Sequence, residues 1–304
     1  MTGLVRRQLR LLRAAEEVRL QPLPDNNARI YAARQLVQAT LPHREPQGEP
    51  PEWCRTNGNY TLSIRPGYRT DPKTGTRQCI GYPFGSIPRL LLFWMTTEAV
   101  LTKSRRLTLG ETLADFMREL GLDPSRGGKR SDARRLRDQM ERLFRATMSF
   151  EYHAISEGRE RSDWLNMQVT AKGHLWWNPQ EASQLRLFES YIELSDEFYQ
   201  AISAHPVPAD MRALRVLKQS PLALDLYAWL TYRAHRVNQA AKPVKVTWRQ
   251  LQQQLGADFS DNREFARKLK GALAKVLALY PHLRIEVVRG GLRIYPGPSL
   301  IALP

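Results

Sequence analysis

Two segments of this chain carry one amphipathic pattern at a fixed offset. They are "KRSDARRLRDQMERLF" (129–144) and "NREFARKLKGALAKVL" (262–277). At about 100° per residue, Ala133, Leu136, Met140, Leu143 and Phe144 share one helical face. A shift of 133 positions lays them on Ala266, Leu269, Leu273, Val276 and Leu277. The same shift lays Arg130, Arg134, Arg135, Arg137 and Arg142 on Arg263, Arg267, Lys268, Lys270 and Lys275. Any two amphipathic helices set in phase share apolar positions. Shared cations need a further cause, because any polar residue solvates an idle outer face. The chain is therefore expected to contain an internal repeat, each copy presenting a basic helix.

The flanking segments repeat in the same order. Ahead of the first basic helix come a helix opening near Pro88 and "LTLGETLADFMRELG" (107–121), a short strand and a short helix. Behind it, strands are expected at 147–155 and 164–177 around the polar loop "SEGRERSD". The second copy has a helix at 220–237, a strand and short helix at 244–256, and a hairpin at 283–297 turning at Gly290-Gly291. Helix, strand, helix, basic helix and ribbon is the order of a winged helix, a helix-turn-helix variant. The expected class is α+β, mainly helical, with two tandem winged-helix domains and β-ribbon wings. The expected division is 1–56, basic helices and a Pro-rich linker; 57–205, the first winged helix; and 206–304, the second. Within the leading part, 4–18 reads as an amphipathic basic helix, 28–40 as a second helix, and "LPHREPQGEPPEW" as a mobile linker. "NYTLSIRPG" reads as a strand, "TDPKTGT" as a turn, and "SYIELSDEFYQAI" as a strand running into a helix.

Charge says what such helices meet. Lys and Arg total 46 against 30 Asp and Glu, a formal +16, which favours a polyanionic partner. A helix fits the major groove of B-DNA, where arginine bridges guanine O6 and N7 and other donors hold phosphates. The N-terminal half of each basic helix would reach the bases, which selects Lys129, Arg130, Ser131 and Arg134 in the first copy. Arg135, Arg142 and Arg145 extend that basic face, although Arg137 sits nearer the apolar side and can snorkel. The second copy offers Asn262, Arg263, Arg267 and Lys270. Gly127-Gly128 serves either close approach to a phosphate or a tight turn between helices.

"GSIPRLLL" (85–92), "TEAV" (97–100), "FMRELG" (116–121), "GGK" (127–129) and "RLRDQMERLF" (135–144) closely resemble plasmid-encoded RepA replication initiators, the group that includes TrfA-like proteins. The resemblance runs from about residue 57 to 205. It implies an initiator that binds iterons, the direct repeats of a plasmid origin, helps to open the duplex and recruits host replication proteins, the host initiator and replicative helicase among them. It also implies tandem winged helices and leaves room for a homodimer. "QLRLF", Gln184, Leu185, Arg186, Leu187 and Phe188, matches the pentapeptide by which bacterial replication proteins dock on the sliding clamp, and TrfA-like initiators carry a similar motif. The same residues would also suit the start of a packed strand.

Features of catalysis are missing from the pattern. Histidines at 43, 153, 174, 205, 235 and 282 show no metal-ligand spacing, and no G-x-x-x-x-G-K-[ST] loop occurs. No catalytic residue, metal or cofactor is expected. Cys54 and Cys79 are the only cysteines, and neither has ligand-spaced neighbours, so a reducing bacterial cytoplasm is the expected compartment. No apolar run is long enough to span a bilayer, and the first residues lack a signal peptide's apolar stretch. Trp94, Trp229 and Trp248 fall in apolar patterns and are expected in the core, whereas Trp176 and Trp177 suit packing or stacking on an unwound base. Two other functions fit some of these features. A transcriptional repressor would use the same DNA-binding helices. An anionic-membrane or scaffold protein would use the helix at 4–18, but it lacks aromatic anchors and leaves the repeated cations unexplained.

Overall fold

The structure is a computed structural model, and it describes residues 3–20, 29–125, 128, 131–156, 159–175, 190–256, 259 and 261–298. The leading part contains α1 (Gly3–Leu20), β1 (Arg29–Ala33), α2 (Arg34–Gln38), β2 (Trp53–Asn57), β3 (Tyr60–Arg65) and the small hairpin β4 (Tyr68–Thr70) and β5 (Arg77–Cys79). The first copy of the repeat follows as α3 (Ser86–Thr102), β6 (Arg106–Thr108), α4 (Leu113–Glu119), α5 (Asp132–Phe144), β7 (Thr147–Ser156), β8 (Arg159–Gln168), β9 (Thr170–His174) and β10 (Tyr191–Leu194). α6 (Asp196–Ser203), β11 (Pro206–Asp210) and α7 (Met211–Leu217) lead to the second copy. That copy is α8 (Pro221–Ala240), β12 (Val244–Thr247), α9 (Trp248–Leu255), α10 (Asn262–Leu279), β13 (Ile285–Val288) and β14 (Gly291–Ile294).

The two copies share a topology. Each has a three-stranded antiparallel sheet in which the last strand lies between the other two, ordered β6-β10-β9 and β12-β14-β13. The apolar positions matched by the repeat are core positions in both. Leu136 and Leu269 are fully buried, as are Leu143 and Val276, while Met140 and Leu273 lie beside them. Phe144 is buried where Leu277 is half-buried. Trp94 and Trp229 lie in the core, as expected, but Trp248 is only half-buried.

Several expectations need correction. The segment expected as a polar loop at 156–163 is mostly strand, since β7 and β8 pair from Thr147↔Gln168 out to Ser156↔Arg159. Met148, Phe150, Leu165 and Met167 alternate onto the face shared with Leu62 and Ile64, and that alternation pins the register. This hairpin joins β2 and β3 in a four-stranded sheet, and the strand expected at 164–177 is divided between β8 and β9. The helix expected at 28–40 is a strand followed by a short helix. Ile30 and Ala32 are buried along β1, which pairs with β11 from Arg29↔Asp210 to Ala33↔Pro206. The turn of the last hairpin falls at Arg289-Gly290, with Gly291 already in β14. α1 packs against α7 and α10 with Ala15 fully buried, the arrangement of a capping helix.

The stretch expected as a mobile linker is packed in place. Leu41 is buried, Tyr82 donates its hydroxyl to the Pro50 carbonyl at 2.5 Å, and β2 pairs along β3. His43 belongs to a buried polar cluster joining the two copies. Arg89, on α3, donates from Nε to Asp225 Oδ1 at 2.7 Å and from Nη2 to Oδ2 at 2.8 Å. Its remaining donors reach the carbonyls of Leu41, Pro42 and Gly85 at 2.6, 3.1 and 2.6 Å. Asp225, on α8, also accepts from His43 Nε2 at 2.7 Å. Burial alone would raise Asp225, but Arg89 and His43 outweigh it and hold the carboxyl at about 2. Burial likewise dominates at His43 and holds the imidazole at about 4, against the opposing pull of Asp225. At neutral pH the cluster is thus an ion pair with a neutral histidine.

Candidate nucleic-acid interface

Among the described residues, the second copy gathers basic side chains from two helix starts. Thr247 accepts a hydrogen bond from Gln250 N while the Gln250 side chain accepts from Thr247 N, a capping box that starts α9. Arg249 therefore stands exposed on the first turn of α9. Asp261 caps α10 by accepting from Arg263 N at 2.8 Å, so the exposed Asn262, Arg263, Arg267 and Lys270 fall in its N-terminal half. Together with Trp248 and Gly290, these two helix starts line an open cleft of about 640 Å³. Lys270 Nζ lies 5.6 Å from the ring of the half-buried Trp248, so the indole carries a cation at the surface. Arg267 pairs loosely with Glu264 at 3.8 Å. At the cleft's edge Gly291 packs so closely on β12 that an added Cβ would lie 2.1 Å from the Val246 carbonyl.

In the first copy the arginines divide between two tasks. Arg134, Arg135 and Arg137 are exposed on the N-terminal half of α5, with Arg135 pairing with Asp132 at 3.2 Å. Ser131 is buried and accepts from Arg134 N at 3.2 Å, so its hydroxyl caps the helix. Arg142, also expected on the exposed face, is a tether. Its side chain is 15% exposed, pairs with Glu45 and with Asp138 at 3.1 Å, and lies over the Phe84 ring. Arg145 caps the end of α5 and reaches the Tyr68 carbonyl at 3.2 Å. The cause is the β4–β5 hairpin and its flanks, which lie over the C-terminal half of α5 and use these cations as anchors. Gly67 meets Arg145 there with no room for a Cβ, which would lie 2.4 Å from the Arg145 Cβ. Gly128 has φ +93° and its carbonyl accepts from Ser131 N, as in a tight turn before the helix. Lys129, Arg130 and Gly127 lie outside the described residues, as do Trp176, Trp177 and the whole of Gln184, Leu185, Leu187 and Phe188.

Sequence reasoning missed Trp248 and Arg249 as surface groups. The Thr247-x-x-Gln250 pattern announces the start of α9 and could have placed Arg249. The Trp248–Lys270 pairing is tertiary. Among the described residues no group of three His, Cys, Asp or Glu is placed to hold a metal ion, and no helix is long and apolar enough to cross a membrane.

Residues 82–250 match the family model described as plasmid encoded RepA protein. Two solved structures resemble the chain's fold. A structure of domains 2 and 3 of RctB is 13% identical, covers 85% of this chain and 94% of its own, and has a TM-score of 0.51. A second structure of RctB domains 2-3 is 16% identical over the same shares, with a TM-score of 0.47. Comparison with curated proteins gives no match.

Proposed function

The chain belongs to the plasmid-encoded RepA family of replication initiators, and from that premise we propose that it binds iterons at a plasmid origin through α5 and α10. Each copy of the repeat acts as a winged helix, and the exposed N-terminal halves of α5 and α10 enter successive major grooves. The observation that carries this reading is the cleft where Arg249, Arg263, Arg267 and Lys270 converge on two helix starts, with Arg263 and Arg267 at positions equivalent to Arg130 and Arg134. Arg249 and the start of α9 suit the phosphates, while Arg263 and Arg267 suit base edges. The copies differ in sequence, so the site is long and directional, and its two readers occupy the units 57–205 and 206–304. Binding would then promote opening of the origin and bring in host replication proteins. Residues 184–188 are the segment proposed for the sliding clamp, on their sequence alone.

Footprinting and salt-dependent gel shifts on the tandem repeats of a plasmid origin test this reading. Arg134→Ala and Arg267→Ala should each weaken specific binding by about 1–3 kcal/mol, and the pair should abolish it. A double variant that binds iteron DNA as tightly as the parent would refute it.

A further inference from the structure

A second polar pocket shares no lining residue with the cleft on α10. It has a volume of about 470 Å³ and lies where the β1–β11 ribbon meets α8. Arg34 enters from the start of α2, His205 from the turn before β11, and His235 and Arg236 from α8. Pro206, Val207 and Pro208 form an apolar wall, and the Arg34 guanidinium stands 5.6 Å from the centre of the Tyr232 ring.

The charge arrangement is unusual for this chain. No carboxylate is among the described residues that line the pocket. Three arginines on other packed elements do have acidic partners: Arg89 has Asp225, Arg142 has Glu45 and Asp138, and Arg212 has Asp210. Here Arg34 and Arg236 come from segments 202 positions apart, and His205 from a third segment. Bringing like charges together opposes folding unless an anion joins them. Arg236 and His205 are exposed, so the core does not need their heads, while Arg34 and His235 are half-buried at the pocket wall. Two guanidinium groups with imidazole donors beside them suit phosphate oxygens, which accept paired N–H donors, and the apolar wall suits the ring of a small ligand. The volume matches that of ordinary small-molecule sites.

We propose that this pocket binds a small phosphorylated ligand with a di- or triphosphate group, of the nucleotide class. Arg34 and Arg236 hold the phosphates, His205 and His235 donate to the remaining oxygens, and the Pro206–Pro208 wall receives the organic part. Because the lining comes from both the ribbon of the leading part and α8 of the second copy, occupancy also braces the junction between them.

Calorimetric titration of the full chain with pyrophosphate and with ADP, in about 150 mM salt, where the Debye length is about 8 Å, tests the proposal. Saturable binding is expected for both, and tighter for ADP, because the apolar wall receives its organic part. Arg236→Gln, at an exposed position, should weaken binding about 10-fold or more, and Arg34→Gln should do the same, with the unliganded melting temperature of Arg236→Gln unchanged. Arg267→Gln, in the other cleft, should retain the parent affinity for pyrophosphate and for ADP. Absence of saturable binding would overturn the proposal. So would equal weakening by Arg267→Gln, which would mean attraction to net charge rather than to this pocket. Binding to random duplex that Arg236→Gln weakens, with no response to pyrophosphate or ADP, would assign the pocket to DNA and also overturn it. None of these outcomes depends on iteron recognition.

Discussion

Replacing Asp225 by asparagine keeps the shape of the buried cluster and removes its counter-charge. The Arg89 side chain is 4% exposed and Asp225 7% exposed, so water does not replace the lost carboxylate. Arg89 would keep the carbonyls of Leu41, Pro42 and Gly85, but they carry only partial charge against a full positive one. The added amide N–H groups would also face donors on Arg89 and His43. Breaking one side of a buried ion pair typically costs about 3–5 kcal/mol. For a chain of this size, about 2 °C per kcal/mol gives a fall of ~6–10 °C in melting temperature. Urea unfolding followed by circular dichroism measures the cost directly. The double variant Arg89→Met with Asp225→Leu should recover only part of the loss, since it removes the unpaired charge but leaves the Leu41, Pro42 and Gly85 carbonyls and the His43 ring without their partners. A loss below ~1 kcal/mol for Asp225→Asn would refute the view that this cluster locks α3 to α8.

Two other outcomes follow from named groups. His43 titrates at about 4 in the folded chain, against 6.5 ordinarily, so the unfolded state takes up its proton first as pH falls. Its contribution is complete above about 6.5 and is lost progressively down to about 4, a total of ~3 kcal/mol. Asp225, held at about 2 against 3.8, extends the loss to lower pH. His43→Asn should flatten the stability profile between pH 6.5 and 4 in denaturant titrations, and an unchanged slope there would contradict the assignment. Arg142→Ala should lower stability by about 1 kcal/mol while leaving the salt dependence of DNA binding unchanged, whereas loss of a phosphate-contacting cation flattens that slope by ~0.9. A flattened slope for Arg142→Ala would return it to the DNA face.

Local periodicity determined much of this protein. The spacing of Leu136, Met140 and Leu143, and of Leu269, Leu273 and Val276, announces two helices with one buried face each, and both faces are buried in the fold. The matched cations pointed to a repeat, and the two three-stranded sheets share one strand order, but the first is completed by β9 and β10, whereas the β7–β8 ribbon expected in that place joins β2 and β3 instead. The β-strand in "SYIEL" and the turn in "TDPKTGT" were legible for the same reason, since their signals are local. What sequence left open depends on partners distant along the chain. The short run at Ile30 and Ala32 suits a helix or a strand until β11, some 180 residues away, offers its edge. The inner half of β7 takes β3 as its other neighbour, from Arg65↔Thr147 to Tyr60↔Tyr152, a pairing its own alternation could not name. Arg142 and Arg145 are as basic in sequence as Arg134, and only the residues laid over the end of α5 turn them into anchors. Arg89 and Asp225 interrupt two apolar helices, which marks each as unusual. That they neutralise one another at 2.7 Å is decided by tertiary structure, because a charge taken out of water is tolerated only where the fold delivers its partner.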